Sequence, residues 1–240
     1  MKVIVGTKEE VVRKAAQRYV ELLNRKPEAV LGLATGSTPL DLYAELARLC
    51  AEGKLSFAKA KSFNLDEYIG LEGTHDQSYR YFMDHNLFEH IDIRPENTHV
   101  PSGFVKDDAE AELYDAEIAA AGGVDLQLLG IGNNGHIGFN EPLTPFTSLT
   151  HIVKLTESTR EANKRFFNSI DEVPTHAVTM GIHTVMLAKS IILMAFGTGK
   201  AEIIKATVEG RPTISVPASL LQLHEDVEVY LDHDAASLLS

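Results

Sequence analysis

The sequence predicts an α/β chain, a mostly parallel β-sheet with helices on both faces. Short apolar runs of strand length alternate with longer segments whose apolar residues recur at helical spacing. Turns rich in glycine and hydroxyl residues stand where several of those strands end. The 240 residues suffice for one large domain with a substantial core. Strand–helix–strand connections favour parallel neighbours, so the expected arrangement is Rossmann-like, a single domain over 1–240 with ligands beyond the carboxyl ends of the strands.

The elements follow in order. Val3–Val5 reads as a strand. Lys8–Asn24 carries Val12, Ala15, Ala16, Tyr19, Leu22 and Leu23 on one helical face. Ala29–Ala34 is a second strand and Pro39–Cys50 a second helix, with Thr38 as N-cap and Pro39 suited to the first helical position. Lys61–Leu65 is a third strand. Ser78–Phe88 is helical, with Tyr79, Phe82, Met83 and Leu87 on one side. Asp107–Ala121 is helical and leads into a buried strand, Val124–Leu129. Further strands are expected at Ala177–Met180, Ser190–Phe196 and Val227–Leu231, and helices near Glu157–Asn168 and Lys200–Glu209. Polar turn residues interrupt 143–174, which reads as an excursion, or lid, over the site. No repeat, low-complexity tract or linker is visible.

Bulk chemistry narrows the partners. Hydrophobic residues make up 44% of the chain and charged residues 23%, and the net charge is −12. Such acidity argues against nucleic acid or an anionic membrane, but not against a small anion met by a few local donors. The single cysteine, Cys50, forbids an intrachain disulfide and reads as a buried space-filler. The apolar runs at Met1–Gly6 and Ile191–Phe196 are too short for a signal peptide or a bilayer span, so the expected location is cytoplasmic.

Three segments carry chemistry. In Thr35-Gly36-Ser37-Thr38-Pro39, between a strand and a helix, glycine frees the backbone, and hydroxyls and amides gather at a helix start. That chemistry binds an anion such as phosphate, although an ordinary capped turn needs part of it too. Phe63-Asn64-Leu65-Asp66-Glu67-Tyr68 places two acids at a strand end. Asp66 is either a base for a carbon-bound proton, its proton affinity raised by burial, or a turn carboxylate. Gly130-Ile131-Gly132-Asn133-Asn134-Gly135-His136-Ile137-Gly138-Phe139-Asn140-Glu141-Pro142 follows a strand and sets an imidazole and a carboxylate five residues apart. That pair suits proton transfer on a ligand approaching glycine backbone closely.

Two motifs mislead. Gly130-x-Gly132-x-x-Gly135 matches a dinucleotide fingerprint, but no helical period opens after it. Gly197-Thr198-Gly199-Lys200 lacks the first glycine and the terminal hydroxyl of a P-loop. The ten histidines form no HExxH and no Cys/His cluster, so no metal site is expected.

Taken together, Leu33–Pro39, Phe63–Tyr68 and Gly132–Pro142 resemble the glucosamine-6-phosphate deaminases. The likeness runs nearly end to end and takes in Asn163–Phe167, Gly197–Lys200 and Ser219–His224. It implies a cofactor-free conversion of glucosamine 6-phosphate and water to fructose 6-phosphate and ammonia. By resemblance, Thr35, Gly36, Ser37, Thr38, Arg165 and Lys200 hold the phosphate. His136 opens the pyranose ring, Glu141 assists and orients it, and Asp66 moves the proton from C2 to C1. Asn134 stands where many members carry Asp, which reduces its role to orienting the imidazole. Longer members bind N-acetylglucosamine 6-phosphate through basic residues after the Asn-Glu-Pro motif. His151 and Val153 occupy those places here, so no such activation is expected, and self-association is left open. The rival readings are a 6-phosphogluconolactonase-like hydrolase and a galactosamine-6-phosphate deaminase. Tyr68 after Glu67 and the Phe139–Pro142 continuation favour deamination over the lactonase. A sugar-phosphate sensor would have no use for Asp66, His136 and Glu141 together.

Overall fold

Seven strands form one parallel sheet, in the spatial order Lys2–Gly6, Val227–Asp232, Ile191–Ala195, Leu126–Leu129, Val30–Leu33, Lys61–Asn64 and Thr98–His99. The computed structural model describes residues 1–157, 160–161, 164, 167 and 169–240. In chain order the elements are β1 (Lys2–Gly6), α1 (Lys8–Arg25), β2 (Val30–Leu33), α2 (Leu40–Ala51), β3 (Lys61–Asn64), β4 (Asp66–Tyr68), α3 (Tyr79–Asn86), β5 (Thr98–His99), α4 (Asp108–Ala111), α5 (Leu113–Ala120) and β6 (Leu126–Leu129). They continue with β7 (His151–Lys154), β8 (His176–Thr179), α6 (Ile182–Met186), β9 (Ile191–Ala195), α7 (Ala201–Val208) and β10 (Val227–Asp232). Short 3₁₀ turns join several of them.

Local chemistry accounts for the better-formed helices. Thr7 opens α1 with a reciprocal capping box: its hydroxyl accepts from Glu10 N–H while the Glu10 carboxylate accepts from Thr7 N–H at 2.8 Å. Such a pair satisfies two donors that a helix start leaves orphaned. The buried face of α1, Val11, Val12, Ala15, Ala16, Tyr19, Leu22 and Leu23, has the spacing the sequence showed. The central strands β2, β6 and β9 are buried on both sides, as parallel strands under helices are.

Three expectations need correction. Ala177–Met180 was expected beside the other strands of the parallel sheet. The observed strand, β8, instead belongs to a second, antiparallel sheet of order β4-β8-β7. Thr38 does not cap α2: the helix starts at Leu40, Pro39 occupies the cap position, and no side chain caps it. Cys50 is half-buried, and its thiol donates to Asp92 Oδ1 at 3.4 Å instead of only filling space. The helix expected at Glu157–Asn168 includes residues outside those described. Within the 143–174 excursion the structure builds β7, an element the sequence reading left out.

The two sheets meet at Leu65. Its N–H still bonds Leu33 O of the parallel sheet, and its C=O accepts Met180 N–H from the second sheet at 2.7 Å. The chain therefore crosses between sheets within one residue and leaves Asp66 at the joint.

Candidate active site

Four neighbouring strands, β9, β6, β2 and β3, send the loops from their carboxyl ends into one cavity of about 660 Å³. The loop after β2 supplies Thr35–Thr38, the joint after β3 supplies Asp66, the loop after β6 supplies Gly130–Phe139, and the turn after β9 supplies Lys200. β2 and β6 are adjacent in the sheet but far apart in sequence, so their loops part and leave a crevice.

The Thr35–Thr38 loop is open to a ligand. Gly36 and Ser37 are exposed, and Gly36 takes φ 87°. With no side-chain cap on α2, the hydroxyls of Thr35, Ser37 and Thr38 are not committed to the helix start. Across the cavity the Lys200 ammonium donates to Ile131 O at 2.8 Å and to Asn133 Oδ1 at 2.6 Å. Burial pushes its proton affinity down, a cost that a bound anion would reverse. Arg165 lies outside the described residues.

Asp66 is 6% exposed, and its carboxylate makes no hydrogen bond to the described residues. Burial, reinforced by the charge of Glu67, pushes its pKa up to about 8. Gly138, at φ 57°, brings bare backbone against it: a Cβ there would stand 3.5 Å from Asp66 Oδ2. The loop is pinned in that position by Asn140, whose amide N–H groups donate to Ile137 O and Met180 O, and by Phe139 N–H donating to Thr179 Oγ1.

His136 belongs to a three-residue relay. Its Nδ1 stands 2.8 Å from Asn134 Oδ1, and Asn134 Nδ2 donates to Glu141 Oε2 at 2.6 Å. A carboxylate can only accept, so the amide must turn its NH₂ to Glu141 and its oxygen to His136. That oxygen also accepts from His136 N–H. Nδ1 must therefore carry the proton, and Nε2 is the free base of the neutral ring. Glu141 Oε1 lies 3.7 Å from His136 Nδ1, close enough to stabilise a charged imidazole. Gly132 makes room for the ring: a Cβ there would lie 2.2 Å from His136 Cε1.

The structure thus gathers Thr35, Gly36, Ser37, Thr38, Asp66, Asn134, His136 and Lys200 around one cavity. Glu141 does not line it; it stands behind Asn134 and His136. Tyr79, Phe139 and Asn133 also line the cavity, and sequence reasoning assigned them no site role. Tyr79 stacks parallel to Phe139, with ring centroids 6.1 Å apart. The usable signal for Tyr79 was its place just after Ser78, the cap of α3.

Residues 6–230 match the family of glucosamine-6-phosphate isomerases and 6-phosphogluconolactonases. The chain belongs to this family. It is 53% identical over 238 residues to a glucosamine-6-phosphate deaminase of Clostridium perfringens, covering 99% of this chain and 98% of that one. To the deaminase of Lachnoclostridium phytofermentans it is 55% identical over 231 residues, covering 95% and 98%. Among solved structures, a monomeric glucosamine-6-phosphate deaminase superposes with a TM-score of 0.95 at 47% identity, covering 99% of this chain and all of that one. A 6-phosphogluconolactonase from Trypanosoma cruzi reaches a TM-score of 0.80 at 20% identity, covering 100% and 97%, which is a likeness of fold alone. No described helix is long and apolar enough to cross a membrane.

Proposed function

We propose that the chain converts glucosamine 6-phosphate and water to fructose 6-phosphate and ammonia. The observation that carries this reading is a buried carboxylate without hydrogen bonds to the described residues, Asp66, sharing one cavity with an imidazole whose free nitrogen is fixed by Asn134 and Glu141. The deaminases that match the chain from end to end support it.

The chemistry needs three services. The phosphate is anchored by the Thr35–Thr38 loop and Lys200, with Arg165 as a further cation, so that remote binding energy positions the reacting carbons. His136 Nε2 takes the proton of the anomeric hydroxyl and returns it to the ring oxygen, opening the pyranose. The transient imidazolium is stabilised by Glu141 and kept in register by Asn134. Asp66 then removes the proton from C2 while the C2 ammonium passes a proton to the C1 oxygen, giving an enolamine, and delivers the C2 proton to C1. The C2 amine has become an imine and C1 an alcohol, so the electrons move within the substrate and no redox cofactor is needed. Water adds to the imine carbon and ammonia leaves.

The high proton affinity of Asp66 suits this role. A carboxylate ordinarily too weak to deprotonate carbon becomes a stronger base in a dry site. The amino group on C2 brings positive charge beside it and favours its ionised form as substrate binds. We read 1–240 as one catalytic domain with a lid segment around 143–174. We place the protein in the cytoplasm, where sugar phosphates are found, with a sugar phosphate as its small-molecule partner.

An ammonia-release assay on glucosamine 6-phosphate tests the reading, with galactosamine 6-phosphate and 6-phosphogluconolactone in parallel. Turnover of the glucosamine epimer above the other two is expected. Hydrolysis of the lactone without ammonia release would overturn it, and preference for the galactosamine epimer would reassign the substrate. Light scattering at assay concentration separates a monomer from a self-associated form.

A further inference from the structure

Glu67 follows the proposed base directly and has no place in the chemistry above. It is nonetheless 3% exposed, an unusual position for a carboxylate with no ion-pair partner among the described residues. Its oxygens are fully engaged by backbone. Oε1 accepts from Tyr68 N–H at 2.8 Å and from Tyr79 N–H at 2.9 Å, and Oε2 accepts from Arg80 N–H at 3.0 Å. Tyr79 and Arg80 are the first two residues of α3, whose cap, Ser78, serves Tyr81 N–H. Glu67 thus satisfies the helix-start donors that the serine does not reach. Tyr79 is the residue whose ring walls the cavity.

We infer that Glu67 is a positioning residue for the proposed deamination: it locks the first turn of α3, so that Tyr79 forms a fixed wall of the cavity, and it sets a second carboxylate one residue from Asp66. The inference rests on the deaminase reading for its link to turnover, and on the hydrogen bonds for its geometry.

The alternation of a strand sends the two carboxyls to opposite faces of β4. Asp66 meets the ligand while Glu67 meets the helix start. Burial raises the proton affinity of Glu67, but its three N–H donors oppose that and favour the ionised form. Tyr68 on β4, Tyr79 on α3, Tyr43 on α2 and Tyr114 on α5 feel the charge of this pair, and His75 in the turn before α3 favours the ionised form of Glu67. His136 faces Asp66 across the cavity. Among these only Glu67 is a second carboxylate, and its effect on Asp66 is to raise proton affinity.

The test compares Glu67→Gln and Glu67→Asp with the parent enzyme in ammonia release across pH. Glu67→Gln removes the charge, and the acid-side limb of kcat/KM should move down by about one pH unit. Glu67→Asp keeps the charge but shortens the reach to α3. Its acid-side limb should stay in place while KM rises several-fold. An unmoved limb in a folded Glu67→Gln protein overturns the electrostatic role, and an unchanged KM in Glu67→Asp overturns the positioning role. A second measurement needs no turnover. In Glu67→Gln, the carboxyl carbon of Asp66 should titrate at lower pH by NMR than in the parent, because Asp66 is the group that loses its proton beside an already charged neighbour. An identical Asp66 titration in both proteins would refute the coupling even if the deaminase reading stands. If the parent releases no ammonia, the deaminase reading falls and this titration still decides the coupling.

Discussion

Asp66→Asn should stabilise the protein while abolishing its turnover, and the stabilisation should grow with pH. In the unfolded chain the Asp66 carboxyl titrates at its ordinary 3.8; in the fold burial and Glu67 hold it at about 8. Between those values the folded state keeps a proton that the unfolded state has released. The contribution of Asp66 to stability is then fully present below pH 3.8 and declines as pH rises toward 8, by ~1.4 kcal/mol per pH unit. Asparagine has nearly the same shape and no proton to lose. The difference in unfolding free energy between variant and parent should therefore widen by about 4 kcal/mol from pH 5 to pH 8 and level off above that. The chain has no tryptophan, so urea unfolding is followed by far-ultraviolet circular dichroism at each pH. Ammonia release should vanish in the variant while sugar-phosphate binding, read by calorimetry, stays nearly intact. Parallel stability curves for the two proteins would refute the buried, proton-holding carboxylate. Loss of binding would mean that Asp66 anchors the ligand instead of moving its proton. In the parent enzyme the same proton affinity predicts that kcat/KM climbs as pH rises toward about 8, because the base must be ionised to act.

His136→Gln should slow reaction of the cyclic sugar far more than reaction of an open-chain analogue; equal slowing of both would remove the ring-opening assignment. Gly132→Ala puts a methyl into the His136 ring, so kcat should fall by about tenfold or more, with a stability loss of about 1–3 kcal/mol. Near-normal kcat in that variant would show that the ring position is not held by the loop. N-acetylglucosamine 6-phosphate should leave substrate half-saturation unchanged in rate curves run with and without it, and a clear shift would show an activating site after all.

Much of this architecture was legible because helices and buried strands write their periods locally. The face of α1 and the apolar runs of β6, β9 and β10 needed no tertiary information. The joint at Leu65 did: a three-residue strand such as β4 has too few positions to display a period. β7 was hidden for a related reason, since its four residues sit among polar turn residues. The destination of β8 could not be read at all, because an apolar run does not say which sheet it joins. Candidate site residues were legible where chemistry clustered in sequence, as in Thr35–Thr38 and Asn134–Glu141. Tyr79 and Phe139 read as ordinary aromatics until the fold brought them to the cavity wall. Thr38 illustrates the opposite error: its composition suited a cap, but the helix began one residue past Pro39 and left the hydroxyl facing the ligand space.

Sequence by itself determined the fold class, the strand-end placement of the reactive groups and the residue types available for acid–base work. Those depend on local period, turn chemistry and side-chain functionality. Only the tertiary structure decided that Asp66 is buried, that Asn134 must turn its oxygen to His136, and that Glu141 stands behind the cavity lining. Burial, hydrogen-bond direction and proximity come from segments far apart in the chain, and proton affinity depends on all three.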